Sequence, residues 1–454
     1  MKKLVKRLSV VFATALTLSA VAVLGAGCGE KKKKISDPQK FIDVIKDNPK
    51  ANISLSADLD FTGVEWEPLE YHGTLNGNGH TISNITVTKN EGSSIGIFSY
   101  GQLSVENLKI ENLSVNYFGE GQYIGGLVGY WGVQYEDDFD GNFDEYIKDV
   151  EISGTINAMG ATYVGGVVGY QNCGFQSYYD WEGNSLENIV SKVEVTGGSN
   201  VGGLVGEFNW KSEGWDYNVQ DTYSLVKNLK NYGAVTGIKS YVGGIVGGNA
   251  FSAKYEGCVN YGEVKAQNRV GGIAGSVANA EFRGCSNEGK VHATETAGGV
   301  IGYQSGGRIV QCSNQGEVST RDNDCGGIIG KQEDGKEILA CTNTGAVSGK
   351  DYVGGIAGTL KGANMLVSAC KNEGKITGGN LVGGVVGGCV SSLGSVLSGE
   401  ALIAHVADCE NAGQIFGTGE WIDYICGGAV WAKGTSENNT NTGELYRNGV
   451  LIEK

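Results

Sequence analysis

Three stretches of the chain, about 131–146, 172–186 and 208–223, hold four of its seven tryptophans, interleaved with carboxylates. The rings are Trp131, Tyr179, Trp181, Trp210, Trp215 and Tyr217, and Asp180 and Asp216 stand among them. Ring faces stack on pyranose C–H groups and carboxylates accept hydroxyl hydrogen bonds, so this mixture suits a sugar-binding surface. The plainer alternative is a satellite core that pins long loops down. Hydrolysis of a glycosidic bond needs two carboxylates ~5–9.5 Å apart, which Asp180 or Glu182 and Asp216 would supply if the loops converge. A lyase needs a basic residue, and Lys211 is the only lysine or arginine in the three stretches. Binding without catalysis is therefore the first expectation, and a polysaccharide-degrading enzyme is the alternative.

Other chemistry is sparse. Asp138, Asp140, Asn142 and Asp144 resemble a calcium loop, but Glu136 stands at its first ligand position and Ile147 at its twelfth. A solvated acidic loop is the expected outcome, so no cofactor is assigned and calcium is the one candidate. His72, His80, His292 and His405 have no ligand spacing. Cys258, Cys285, Cys312, Cys341, Cys370 and Cys409 recur once per repeat, which describes a column of small buried hydrophobes better than a set of disulfides.

The elements that would position these residues follow from a repeat. Strings such as YIGGLVGY (123–130), YVGGVVGY (163–170), YVGGIVGG (241–248) and LVGGVVGG (381–388) recur, ending in ICGGAVWA (425–432). Between 243 and 383 the leading glycine steps by 28, 27, 28, 28 and 29 residues. A second signature, Cys-x-Asn-x-Gly-x-apolar, runs in phase, as in CSNQGEV (312–318) and CTNTGAV (341–347). Apolar residues alternate over five or six positions with no helical period, which predicts strands. The chain has 76 glycines against three prolines and a 40% apolar fraction, so a thin-cored solenoid fits better than a globule. The expected fold is all-β: a right-handed parallel β-helix (β-solenoid) with three strands per coil. The paired glycines mark close backbone approach, and Asn231, Asn260, Asn287, Asn314, Asn343, Asn372, Asn411 and Asn441 suit left-handed turns whose amides bond from coil to coil.

These strings resemble the GLUG-repeat family of bacterial surface proteins over about 95–432. Tyr71 to Ile82 is similar to the opening coil of pectate-lyase-like β-helices on bacterial surfaces. The resemblance implies display, adhesion or carbohydrate contact and assigns no reaction. Residues 1–27 resemble a lipoprotein signal peptide, with Cys28 as the lipidated residue and 28–35 as a lysine-rich tether. The implied location is the extracellular face of the cell membrane, held by the lipid anchor, with secretion the alternative. Partners would be a glycan or a host or neighbouring surface protein. Loss of Lys2, Lys3, Lys6 and Arg7 with the leader takes the net charge from −15 to about −19, which disfavours nucleic acid. Ser36-Asp37-Pro38 opens a capping segment (36–50) with a helix over 38–47, whose stripe is Phe41, Val44 and Ile45. The solenoid is expected to occupy 51–454, with an Asn448-Gly449 hairpin near its end and a short helix within 389–407.

Overall fold

The computed structural model describes residues 32–132, 145–175, 185–211, 224–249, 253–362, 365–390, 402–430 and 433–452. Successive coils pair in parallel, and the strands form three sheets that run along a parallel β-helix. A regular coil contains Asn323–Gly326, Ile329–Glu333, Glu337–Leu339, Thr342–Asn343 and Val347–Ser348. Their partners one coil on include Cys325↔Val353, Ile329↔Ala357, Ile338↔Val367, Asn343↔Asn372 and Val347↔Ile376. A regular coil thus has the three sides expected, with the third divided into three short strands, so five short strands in all. One sheet precedes the glycine pair, one follows it, and the third carries three strands per coil. The chain bends within that third side at a left-handed residue just before each cysteine: Gln311, Ala340, Ala369 and Asp408 all have φ of 53–54°.

The asparagine column is the polar spine of the rod. From Asn231 to Asn441, each Nδ2 donates to Oδ1 of the next asparagine at 2.8 Å. The same nitrogen donates to the carbonyl two residues on, 2.8 Å away in Asn314–Gly316. Asn231 to Asn411 are fully buried, so these bonds satisfy groups that water cannot reach. Contrary to the turn expectation, the asparagines are not left-handed; that conformation falls three residues earlier. From Gly203 to Gly384 the second glycine of each pair lies against this column. A Cβ at Gly299 would overlap the Asn314 amide carbon and the Gly327 carbonyl, and Gly327 meets Asn343 and Gly355 in the same way. The two repeat signatures are therefore the two sides of one contact.

Beside the asparagines, Cys258, Cys285, Cys312, Cys341, Cys370 and Cys409 form the buried column of free thiols that their spacing predicts. The string at 425–432 is out of phase with the others. Val382 pairs with Ile422 and Val386 with Cys426, so Asp423-Tyr424 occupies the glycine-pair position and Gly427 the third-glycine position.

Both ends depart from the repeat. Helix Pro38–Asp47 starts at Asp37, whose carboxylate accepts from the Lys40 amide at 2.9 Å. It buries Phe41, Ile42 and Ile45, and Val44 packs against the same core half-buried, so Ile42 widens the expected stripe. Phe41 packs on Phe61 and Trp66 with centroids 6.2 and 6.3 Å away, closing an end that would otherwise expose sheet edges. Lys33–Ile35, at the end of the stretch read as a tether, pairs with Ile53–Leu55. At the other end Leu445–Arg447 and Val450–Ile452 form the antiparallel hairpin, with Asn448 and Gly449 at positive φ. The helix expected within 389–407 is not found where the chain is described: Leu402–Ala407 is a strand paired with Met365–Ser368, burying Ala404 and Val406.

Asn314→Ala leaves the Asn287 Nδ2 without its acceptor and the Asn343 Oδ1 without its donor. We expect a loss of about 2–4 kcal/mol, read as a lowered urea midpoint. Asn441→Ala, at the partly exposed end of the column, costs clearly less.

Candidate functional site

The strands on either side of each glycine pair meet at a tight turn. A Cβ at Gly125 would overlap the Val128 carbonyl oxygen, so only glycine allows the approach. Residues seven apart in the string then face each other across a notch on the outside of the rod. Tyr123 meets Tyr130 with ring centroids 5.1 Å apart, and Tyr163 meets Tyr170 at 5.0 Å. The parallel register stacks these pairs: Tyr123 pairs with Tyr163, and Tyr100, Tyr130, Tyr170 and Glu207 follow one another in the sheet after the turn.

The outcome is a slab of five tyrosines. Rings of Tyr100, Tyr123, Tyr130, Tyr163 and Tyr170 contact one another at 4.8–5.6 Å between centroids, and Tyr123 and Tyr163 stack within 16° of parallel. Four of the five rings stay partly exposed, while Tyr130 is buried. Asn172 Nδ2 donates to the Tyr130 hydroxyl at 2.7 Å, and Asn209 Nδ2 donates to that of Tyr170. The slab ends at Glu207, which accepts a hydrogen bond from Asn200 Nδ2. Burial pushes the Glu207 carboxyl up to about 7, against the Asn200 bond that lowers it. Burial also raises Tyr123, Tyr163 and Tyr170, and the Glu207 charge adds to each.

Further along, the notch changes character. The Arg269 guanidinium lies over Tyr303 at 4.0 Å and Tyr241 at 5.2 Å, so it is already held between two rings. Next along, Thr359 donates to Asp324, whose carboxyl burial raises. Among the described residues no three His, Cys, Asp or Glu side chains are grouped to hold a metal. No described helix is long and apolar enough to cross a membrane.

The expected site residues fare unequally. Trp131 is fully buried and its Nε1 donates to the Leu103 carbonyl at 2.9 Å. Tyr130 faces the notch, so the next residue of the strand faces the core. Trp131 is thus a core residue and cannot stack on a ligand. Phe208, aligned with it two coils on, is buried as well. Trp210 lies on strand Val205–Lys211. Tyr179, Asp180, Trp181, Trp215, Asp216 and Tyr217 lie outside the described residues, as do Cys28 and the calcium-loop positions Asp138, Asp140, Asn142 and Asp144. The residues of the tyrosine slab sit inside the repeat strings, where they look like scaffold. The available signal was the tyrosine at both ends of YIGGLVGY and YVGGVVGY, which other copies lack.

No protein-family model matches the chain, and no curated protein matches it. Among solved structures it is similar to a Bacteroides ovatus protein described as a candidate immunoglobulin A1 protease. The two are 23% identical with a TM-score of 0.44, and the match covers 57% of this chain and 77% of that one. At that level the likeness assigns neither activity nor site.

Two outcomes check this geometry. Trp131→Ala should cost about 3–5 kcal/mol, whereas a ring on the surface would cost little; chemical denaturation distinguishes them. For Glu207 the folded state binds its proton more tightly than the unfolded state, so its contribution to stability is present below about pH 4.5 and lost as pH rises toward about 7. Glu207→Gln should therefore leave the melting temperature unchanged at pH 4 and raise it by a few degrees at pH 8.

Proposed function

We propose that the chain is a non-catalytic binding scaffold of the bacterial cell surface that takes a glycan along its tyrosine notch. The observation that carries this reading is the five-ring slab, with asparagine amides fixing the hydroxyls of Tyr130 and Tyr170. Rigid, partly exposed rings offer pyranose faces a contact surface with little ordering cost, and the adjoining hydroxyls and Glu207 offer polar partners. Trp181, Trp215, Asp180 and Asp216, which lie outside the described residues, are kept as proposed ligand contacts on their sequence pattern. Anchoring by lipid at Cys28 is proposed from the leader sequence, and the GLUG-type strings support display at the surface.

A second reading is favoured by one observation. A carboxyl held near pH 7 in an aromatic cleft is in the state a general acid requires, so Glu207 could serve a glycosidase if a loop carboxylate such as Asp216 lay opposite.

Glycan-array binding by the chain from residue 28 onward tests both readings. We expect selective binding that weakens at least about tenfold in Tyr123→Ala and Tyr163→Ala. Unchanged binding in both variants rejects the notch. Shortened oligosaccharides that disappear in Glu207→Gln establish the enzyme instead.

A further inference from the structure

Glu207 is a carboxylate with no cation among the described residues. Among the described residues no lysine, arginine or histidine forms an ion pair with it, and the Asn200 amide is its one hydrogen-bonding partner. Its neighbours on one side are the rings of Tyr163 and Tyr170 in the preceding coil. The phenols of Tyr123, Tyr163 and Tyr170 are all close enough to feel its charge. On the other side the next residue of the column is Gly248, which has no side chain. A Cβ built there would sit 3.1 Å from Glu207 Oε2 and 3.2 Å from Asn200 Nδ2, so the carboxylate and the amide lie over the buried Gly248, in space a side chain would need, while Glu207 itself stays partly exposed. Arg269, one coil further on, is occupied between Tyr241 and Tyr303 and also donates to Ser276 at 3.3 Å.

A partly exposed carboxylate beside electron-rich rings, with no cation among the described residues, attracts a particular chemistry. Ring faces attract cations, and a desolvated carboxylate gains most from a partner that brings both charge and N–H donors. A primary ammonium on a flat, hydroxylated body meets all of these at once: the body lies on the tyrosines and the N–H groups point at Glu207. We propose that the notch recognises a glycan bearing free amino groups, such as a de-N-acetylated hexosamine, and that Glu207, seated over Gly248 at the end of the tyrosine slab, is the site that reads the amine. The inference rests on the glycan reading of the notch and adds the identity of the group recognised.

Titration calorimetry of the chain from residue 28 onward, with a glucosamine hexamer and its N-acetylated counterpart at pH 7, tests this. The amine form should bind at least about fivefold more tightly. Glu207→Gln, which keeps the partner for Asn200, should abolish that preference and leave affinity for the acetylated hexamer within about twofold. Gly248→Val, which displaces the carboxylate from its seat while keeping its charge, should also abolish it, and it carries the test if the Glu207 variant fails to fold. Binding of both hexamers without preference, or a preference that survives both substitutions, overturns the amine site alone. Binding of neither hexamer overturns it, and loss of all array binding in Tyr163→Ala is the separate result that would uphold the notch. A lysine-rich peptide that binds through Glu207 while the glucosamine hexamer does not would overturn the glycan source.

Discussion

From Asn231 onward the rod depends on one buried contact: the asparagine column held against glycines. Each amide donates to the neighbouring asparagine and to its own corner carbonyl, and the second glycine of each pair from Gly203 to Gly384 lies where any Cβ would strike that amide. An in-register parallel stack is the arrangement that satisfies these groups without water. A slip of one residue would bury unpaired amides and place a side chain where glycine now stands. This explains why two signatures a dozen residues apart in sequence keep phase over many coils.

Strict register also makes a surface. Because every coil repeats the same turn, whatever residues bracket the glycine pair are forced into two facing columns. Where both are tyrosine a continuous aromatic slab results; where they are arginine or aspartate, local rings and hydroxyls occupy them instead. Glu207 and Gly248 mark the change from one regime to the other. The notch is rigid because its floor is the register-locked backbone, which suits a surface that must present rings without reorganising.

The fold was legible because its signals are periodic: the glycine step, the cysteine spacing and the helix cap at Asp37-Pro38 each have a local physical cause. What could not be read was the side chain's direction at irregular positions. Trp131 sits in an aromatic-rich stretch, yet the strand's alternation after Tyr130 turns it into the core. The last Gly-Gly at 427–428 has the right letters in the wrong phase, visible only once Val382 is seen to pair with Ile422. The left-handed corner precedes the cysteine because it is a backbone demand that Gly257, Gln311 and Ala340 all meet, leaving no residue signature. The tyrosine slab was hidden for the opposite reason, since residues inside a repeat look like scaffold until the turn brings positions seven apart together.

The most direct test of the asparagine column is a double-mutant cycle on the adjacent pair Asn314 and Asn343, compared with the distant pair Asn260 and Asn411. Alanine at one member of an adjacent pair already strands its neighbour, so the second substitution should cost less, with a coupling of about 1 kcal/mol or more. The distant pair should add to within about 0.5 kcal/mol. An adjacent pair that adds as simply as the distant one would contradict the account, because the amides would then be satisfied independently and could not hold the coils in register.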